Sequence, residues 1–214
     1  GLVTGDNVND INNIIGTWST GVIAAKEASE QETYFVGGLI GHQNGSTMNI
    51  TRSYSTVNVS AKGSYSDALA IGGLLGNNGL QEDDTRPRQL ADSNDLKAVI
   101  SLSYATGTVI AGGTSEYGGY FGIGNFVGVN YATDSSFNNS FALGTAVAPG
   151  TSSFGMVGFA RTGNHFALYT TQNQAGNGLT GSNIIVGQSA LNSQTANGTV
   201  LPSGFSSEIW NAGN

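Results

Sequence analysis

Two histidines, a scatter of carboxylates and one recurring aromatic are the residues of this chain whose types could do chemistry. His42 and His165 are too few for a His-Glu-x-x-His zinc motif or a three-histidine metal centre. Neither lies beside a Gly-x-Ser-x-Gly nucleophile turn, so a Ser-His-Asp arrangement has no local support. His42, within Gly41-His42-Gln43-Asn44-Gly45, reads as a solvated turn residue, and His165 stands in a slot that other repeats fill with Ser or Thr. The carboxylates gather as Glu82-Asp83-Asp84 with Asp92 and Asp95, as Asp6 with Asp10, and as Glu27, Glu30 and Glu32. A glycoside-cleaving pair needs two carboxylates facing one bond. Neighbours in polar loops read instead as solvated charge. A weak calcium site at Asp6, Asn7, Asn9 and Asp10, or in the 82–95 loop, is the minority reading, and no EF-hand or nonapeptide pattern supports it. No enzyme activity and no cofactor are expected.

The aromatic register is the strongest candidate for a binding face. It runs Trp18, Tyr54, Tyr104, Phe141 and Phe166, each following a small polar residue or histidine and preceding Ser or Ala. Strand parity puts Thr20, Thr56 and Thr106 on the same face, with Ser19, Ser55, Ala105, Ala142 and Ala167 opposite. Pointing inward, the stripe is an aromatic stack in the core, which is the preferred expectation. Pointing outward, flat rings flanked by hydroxyls offer a surface for sugar rings or a neighbouring filament. Parity alone does not choose, because small opposite residues suit a tight interior or a bland exterior. Outward threonines would also suit an ice-binding array, but Val22, Asn58 and Leu143 break it.

These residues must be held by repeated strands. The chain has 214 residues, 33 of them glycine, 3 proline and none cysteine, and 10% are charged where an ordinary domain carries roughly 25%. Seven basic residues against fourteen acidic ones, a net charge of -7, argue against a nucleic-acid backbone or an anionic membrane as partner. No apolar run is long enough for a membrane helix, so membrane insertion is not expected. Without a basic leader at its start, the chain reads as a mature product or an excerpt of a longer array.

A glycine before an apolar pair recurs at 1, 38, 73, 119 and 155, at spacings of 37, 35, 46 and 36. Residues 81–97 hold eight charged side chains and a proline, which marks an exposed loop (80–98 with its margins) set into the third repeat. Segments such as 48–59 and 101–110 are rich in Thr, Val, Ile and Tyr. The segments 24–32 and 188–195 carry helix formers but are short enough for single turns. Short strands, turn signals at Asn44-Gly45 and Asn78-Gly79, and a period near 36 predict an all-β fold, a parallel β-solenoid over 1–177 followed by a capping or connecting segment over 178–214.

Gly-Gly-Leu-(Ile/Leu)-Gly followed by Ser-Tyr-(Ser/Ala)-Thr, at 37–59 and 72–109, resembles the GLUG-motif repeats of large secreted bacterial surface proteins. Relatives in that family include adhesins and filamentous-haemagglutinin-like exoproteins. The resemblance implies a right-handed parallel β-helix, secreted and displayed at the cell surface, and it carries over no catalytic residue. The implied role is a noncatalytic structural or adhesive module of a surface protein or fibre. Its partners would be a host-surface or matrix glycan or protein, or further copies of itself stacked end to end. The alternatives are a self-assembling filament subunit and a carbohydrate-binding or carbohydrate-cleaving β-helix.

Overall fold

Period-two alternation does the first work. In Thr47–Thr51 and Lys97–Ser101 the second and fourth residues, Met48 and Ile50, Ala98 and Ile100, are buried while their neighbours are half-exposed. A strand with one apolar face and one polar face must lay the apolar face on a core. The structure, a computed structural model, describes residues 11–25, 34–43, 47–62, 68–79, 97–112, 120–130, 132, 134–148, 153–160, 165–170, 176–177 and 181–186. Among the described residues there is no helix, and every strand pairing is parallel. The all-β, parallel expectation therefore holds, and Ala24 and Ala25 lie in a strand rather than a helical turn. The first glycine repeat, residues 80–96 of the charged loop and the 188–195 segment lie outside the described residues, and Lys97 and Ala98, expected in that loop, lie in the strand Lys97–Ser101.

Four sheets result. Sheet 1 runs Ile11–Ile15, Thr47–Thr51, Lys97–Ser101, Asp134–Ala142, His165–Thr170 and Gly181–Val186, and beside it Trp18–Ser19, Tyr54–Ser55 and Tyr104–Ala105 join the second half of Asp134–Ala142. Sheet 2 holds Val22–Ala25, Asn58–Lys62, Val109–Gly112 and Ala146–Val147. Sheet 3 holds Tyr34–Gly37, Ala68–Gly72, Tyr120–Gly124 and Ser153–Phe154. Sheet 4 holds Ile40–Gln43, Leu75–Asn78, Val127–Asn130, Val157–Ala160 and Gly176–Asn177. From Ile11 to Ala160 the chain visits sheets 1, 2, 3 and 4 in that order four times, and the described strands after it lie in sheets 1, 4 and 1. Each strand inside a sheet thus pairs with its equivalents one period earlier and later, and the strands at the ends pair on one side among the described residues. The 177/178 position, expected as a domain boundary, falls between Gly176–Asn177 and a strand that pairs with His165–Thr170.

In-register pairing stacks like on like. Ile14, Ile50, Ile100 and Phe137 form one buried row, and Ile40, Leu75, Val127 and Val157 another. These rows share one core cluster, while Val57, Val59, Leu69, Ile71, Val109 and Ile123 belong to a second. Burying each large aliphatic side chain contributes about 1.5–3 kcal/mol, so rows of this kind supply the stability that surface ion pairs do not.

Register also corrects three of the sequence equivalences. Val127, not Phe121, pairs with Leu75, so the fourth repeat's anchor is Asn125 within Gly124-Asn125-Phe126-Val127-Gly128 rather than Gly119. Phe141 pairs with Tyr169, so the fifth place in the aromatic register belongs to Tyr169, and Phe166 lies opposite Asn138. Leu168, not His165, takes the slot of Ser140.

Candidate functional site

The aromatic register lies on sheet 1 immediately after a sharp corner. Gly16, Arg52, Leu102 and Asn139 occupy that corner with φ of 63°, 51°, 53° and 49°. The next residue closes it. Ser53, Ser103 and Ser140 each donate the hydroxyl to a carbonyl two residues back, Thr51, Ser101 and Asn138, at 3.0, 2.8 and 2.9 Å. The same hydroxyls accept the backbone N–H of Thr17, Ser53 and Ser103 from the preceding repeat, at 3.2, 3.2 and 3.3 Å. A serine column therefore satisfies groups that the bend takes out of the strand ladder. The sequence held this signal as the small polar residue before each aromatic, without its role.

Beyond the corner, Trp18, Tyr54, Tyr104 and Phe141 pair in register. Their rings stack with interplanar angles of 12°, 3° and 2° and centroids 6.2, 4.6 and 4.8 Å apart. The stack faces outward. Trp18 is 60% exposed, Tyr54, Tyr104 and Phe141 are half-exposed, and Ser55, Ala105 and Ala142 behind them are buried. This overturns the preferred inward expectation, and the reason is steric. A Cβ placed on Gly38 would sit 2.2 Å from the Ser55 hydroxyl, and one on Gly73 3.1 Å from the Ala105 methyl. The glycine turns back directly onto those small residues and leave no room for a ring.

Thr20 is exposed, and Thr56 and Thr106 are half-exposed on the aromatic face, as parity predicts. Their N–H groups continue the ladder, Thr56 to the Ser19 carbonyl at 2.9 Å and Thr106 to that of Ser55 at 3.0 Å, and Leu143 follows to Ala105 at 3.0 Å. All seven candidate residues thus fall on one outward strip. Their chemistry differs from a flat sugar platform, because stacking of a sugar on an aromatic needs a free ring face. Tyr54 and Tyr104 each have a neighbouring ring on both faces and present only their edges. Each stacked pair contributes about 0.5–1.5 kcal/mol beyond area burial, so the ladder acts first as a clamp between repeats.

Burial, and after it the adjacent Tyr54, raises the Tyr104 phenol above its ordinary value. The folded chain then holds this proton more tightly than the unfolded chain. Its stabilisation is fully present below about pH 10 and is lost as pH rises through the folded pKa. Replacing Tyr104 with Phe should flatten that part of the alkaline decline in denaturation midpoint that sets in above about pH 10. Equal slopes for both proteins would refute this origin.

His42 is not a solvated turn residue. It lies in the strand Ile40–Gln43, half-buried, 4.4 Å from the Phe35 ring centroid, with Nε2 3.3 Å from the Gly79 carbonyl. Sheet 4 also carries a buried amide row missed in the sequence, in which Gln43, Asn78 and Asn130 pair in register and Asn78 Nδ2 donates to Asn130 Oδ1. The candidate calcium residues at 6–10 and 82–95 lie outside the described residues. Among the described residues no three His, Cys, Asp or Glu side chains gather as a metal site, and no helix is long and apolar enough to cross a membrane. No protein-family model, no curated protein and no solved structure matches this chain.

Proposed function

We propose that this chain is a right-handed parallel β-helix of GLUG-like repeats that serves as a noncatalytic structural or adhesive module of a secreted bacterial surface protein or fibre. The observation that carries the reading is the return of the chain through the same four parallel sheets with like residues stacked in register. In such an arrangement nearly every conspicuous residue type is used by the stack itself. Serine hydroxyls fill corner hydrogen bonds, aromatic rings cover one another, and glycines admit neighbouring backbone. What is left for function is surface and length, the properties of a spacer or an adhesive face. Its partners are then a host-surface or matrix glycan or protein, or its own kind.

Trp18 favours one second reading, carbohydrate binding, because it is the end ring of the stack and is 60% exposed. A glycan array combined with reducing-end assays on acidic polysaccharides separates the two. The structural reading expects no sugar release and no signal that depends on Trp18. Release of reducing ends would sink it, and array binding abolished by Trp18→Ala would replace it with the carbohydrate-binding one.

A further inference from the structure

The first described repeat differs from those after it in a way that the ladder does not explain. On the outward face, Ile11 stands in the row that continues as Thr47, Lys97 and Asp134, and Ile15 in the row of Thr51, Ser101 and Asn138. Val22 stands where the next repeat has Asn58. Three polar rows thus become apolar at this end. Ile11, Ile15, Trp18 and Val22 are 65%, 65%, 60% and 74% exposed. The strands that carry them, Ile11–Ile15, Trp18–Ser19 and Val22–Ala25, each pair on one side only among the described residues. Proteins blunt such an edge with charge, proline or a bulge. Residues 11–25 contain no charged residue and no proline, although the whole chain carries a net charge of -7.

The residue order selects an occupant. The outward side chains of the edge strand read Ile11, Asn13, Ile15, a series symmetric about Asn13. Gly16 N–H points into the sheet, to the Thr51 carbonyl at 3.0 Å. Alternation along a strand then directs the backbone groups of residues 11, 13 and 15 to the edge that has no partner among the described residues. We infer that two copies of this chain associate through an antiparallel pairing of their Ile11–Ile15 edges about a two-fold axis at Asn13. Ile11 then lies opposite the partner's Ile15, Asn13 opposite the partner's Asn13, and Ile15 opposite the partner's Ile11. Three mutually bonded pairs give roughly six new backbone hydrogen bonds. The contact is self-complementary, so it closes at two copies, whereas head-to-tail stacking of first repeat on last would grow without limit.

The chain has no cysteine, which makes the test clean. Hydrogen-bonded antiparallel partners have Cα atoms about 5.5 Å apart, within disulfide reach. The full chain with Asn13→Cys should form an intermolecular disulfide under mild oxidation much faster than the same chain with Leu143→Cys, an exposed position away from the edge. Light scattering of the unmodified chain should approach twice the monomer mass, and no more, by about 100 μM. Ile11→Lys and Ile15→Glu should each weaken association about tenfold or more, and the double variant should regain it, because each new charge then faces its opposite across the axis. Circular dichroism of each variant separates lost association from lost folding. A strict monomer at that concentration, equal crosslinking from the two cysteine positions, or open-ended growth would each overturn the inference.

Discussion

Gly128→Ala is expected to cost roughly 4 kcal/mol or more, far above the ~1 kcal/mol of an average substitution. A Cβ at Gly128 would lie 2.5 Å from the Gly76 carbonyl oxygen, 2.6 Å from the Ile71 amide nitrogen and 2.8 Å from the Ile71 carbonyl carbon. All three atoms are backbone of buried strands in sheets 3 and 4. No rotamer change relieves such contacts; either a strand leaves its ladder or two sheets separate. Gly41, in the same row at the end of sheet 4, supplies the control. Its nearest obstacle is the single Phe35 carbonyl oxygen at 3.0 Å, so Gly41→Ala should cost far less. Urea denaturation of the two variants checks the ranking. A Gly128→Ala chain within about 1 kcal/mol of the parent would mean that sheets 3 and 4 do not meet as closely as described.

The same glycine rows show what the sequence can and cannot reveal. Gly38 and Gly73 announce their equivalence, because a Cβ on either would meet the next repeat's carbonyl oxygen at 2.1 or 2.0 Å. The next residue in that row is Asn125, and the true period is lost there to Gly118-Gly119, which imitates the motif nearby. Asn125 is tolerated through an exchange of volume. Where the second repeat has buried Val57, the third and fourth have Gly107 and Gly144, and the Asn125 amide occupies that space and donates to the Gly107 carbonyl at 2.8 Å. A change at one position was balanced at another distant in sequence, and local motif matching sees only one of them.

The aromatic register was legible as a row but not as a face. Its small partners Ser55 and Ala105 fit either orientation until the Gly38 and Gly73 turns are known to back onto them. Arg52 and Leu102 hid the corner for a related reason. Neither residue type advertises a left-handed backbone, so the bend before each aromatic could not be read from them. Only Gly16 and Asn139 carried the usual signal.

Removing one whole period should leave a folded protein. Gly37 and Gly72 are equivalent, as are Gly38 and Gly73, so excision of residues 38–72 joins Gly37 to Gly73 with every row still in register. Ile14 would then meet Ile100, Trp18 would meet Tyr104, and Ile23 would meet Val109, pairings that conserve side-chain class. In a stack where each repeat contacts its neighbours, this deletion loses one repeat's own stability and exchanges one interface for a similar one. The shortened chain should keep a β-type circular dichroism spectrum and one cooperative transition, and its long dimension in solution scattering should fall by about 4.8 Å, one strand spacing. Deleting only residues 38–55 is the counterpart. It delivers each following strand to the wrong sheet and turns inward side chains out, so that chain should fail to fold. If both deletions unfold the protein, the repeats do not behave as interchangeable layers, and the β-helical reading falls with them.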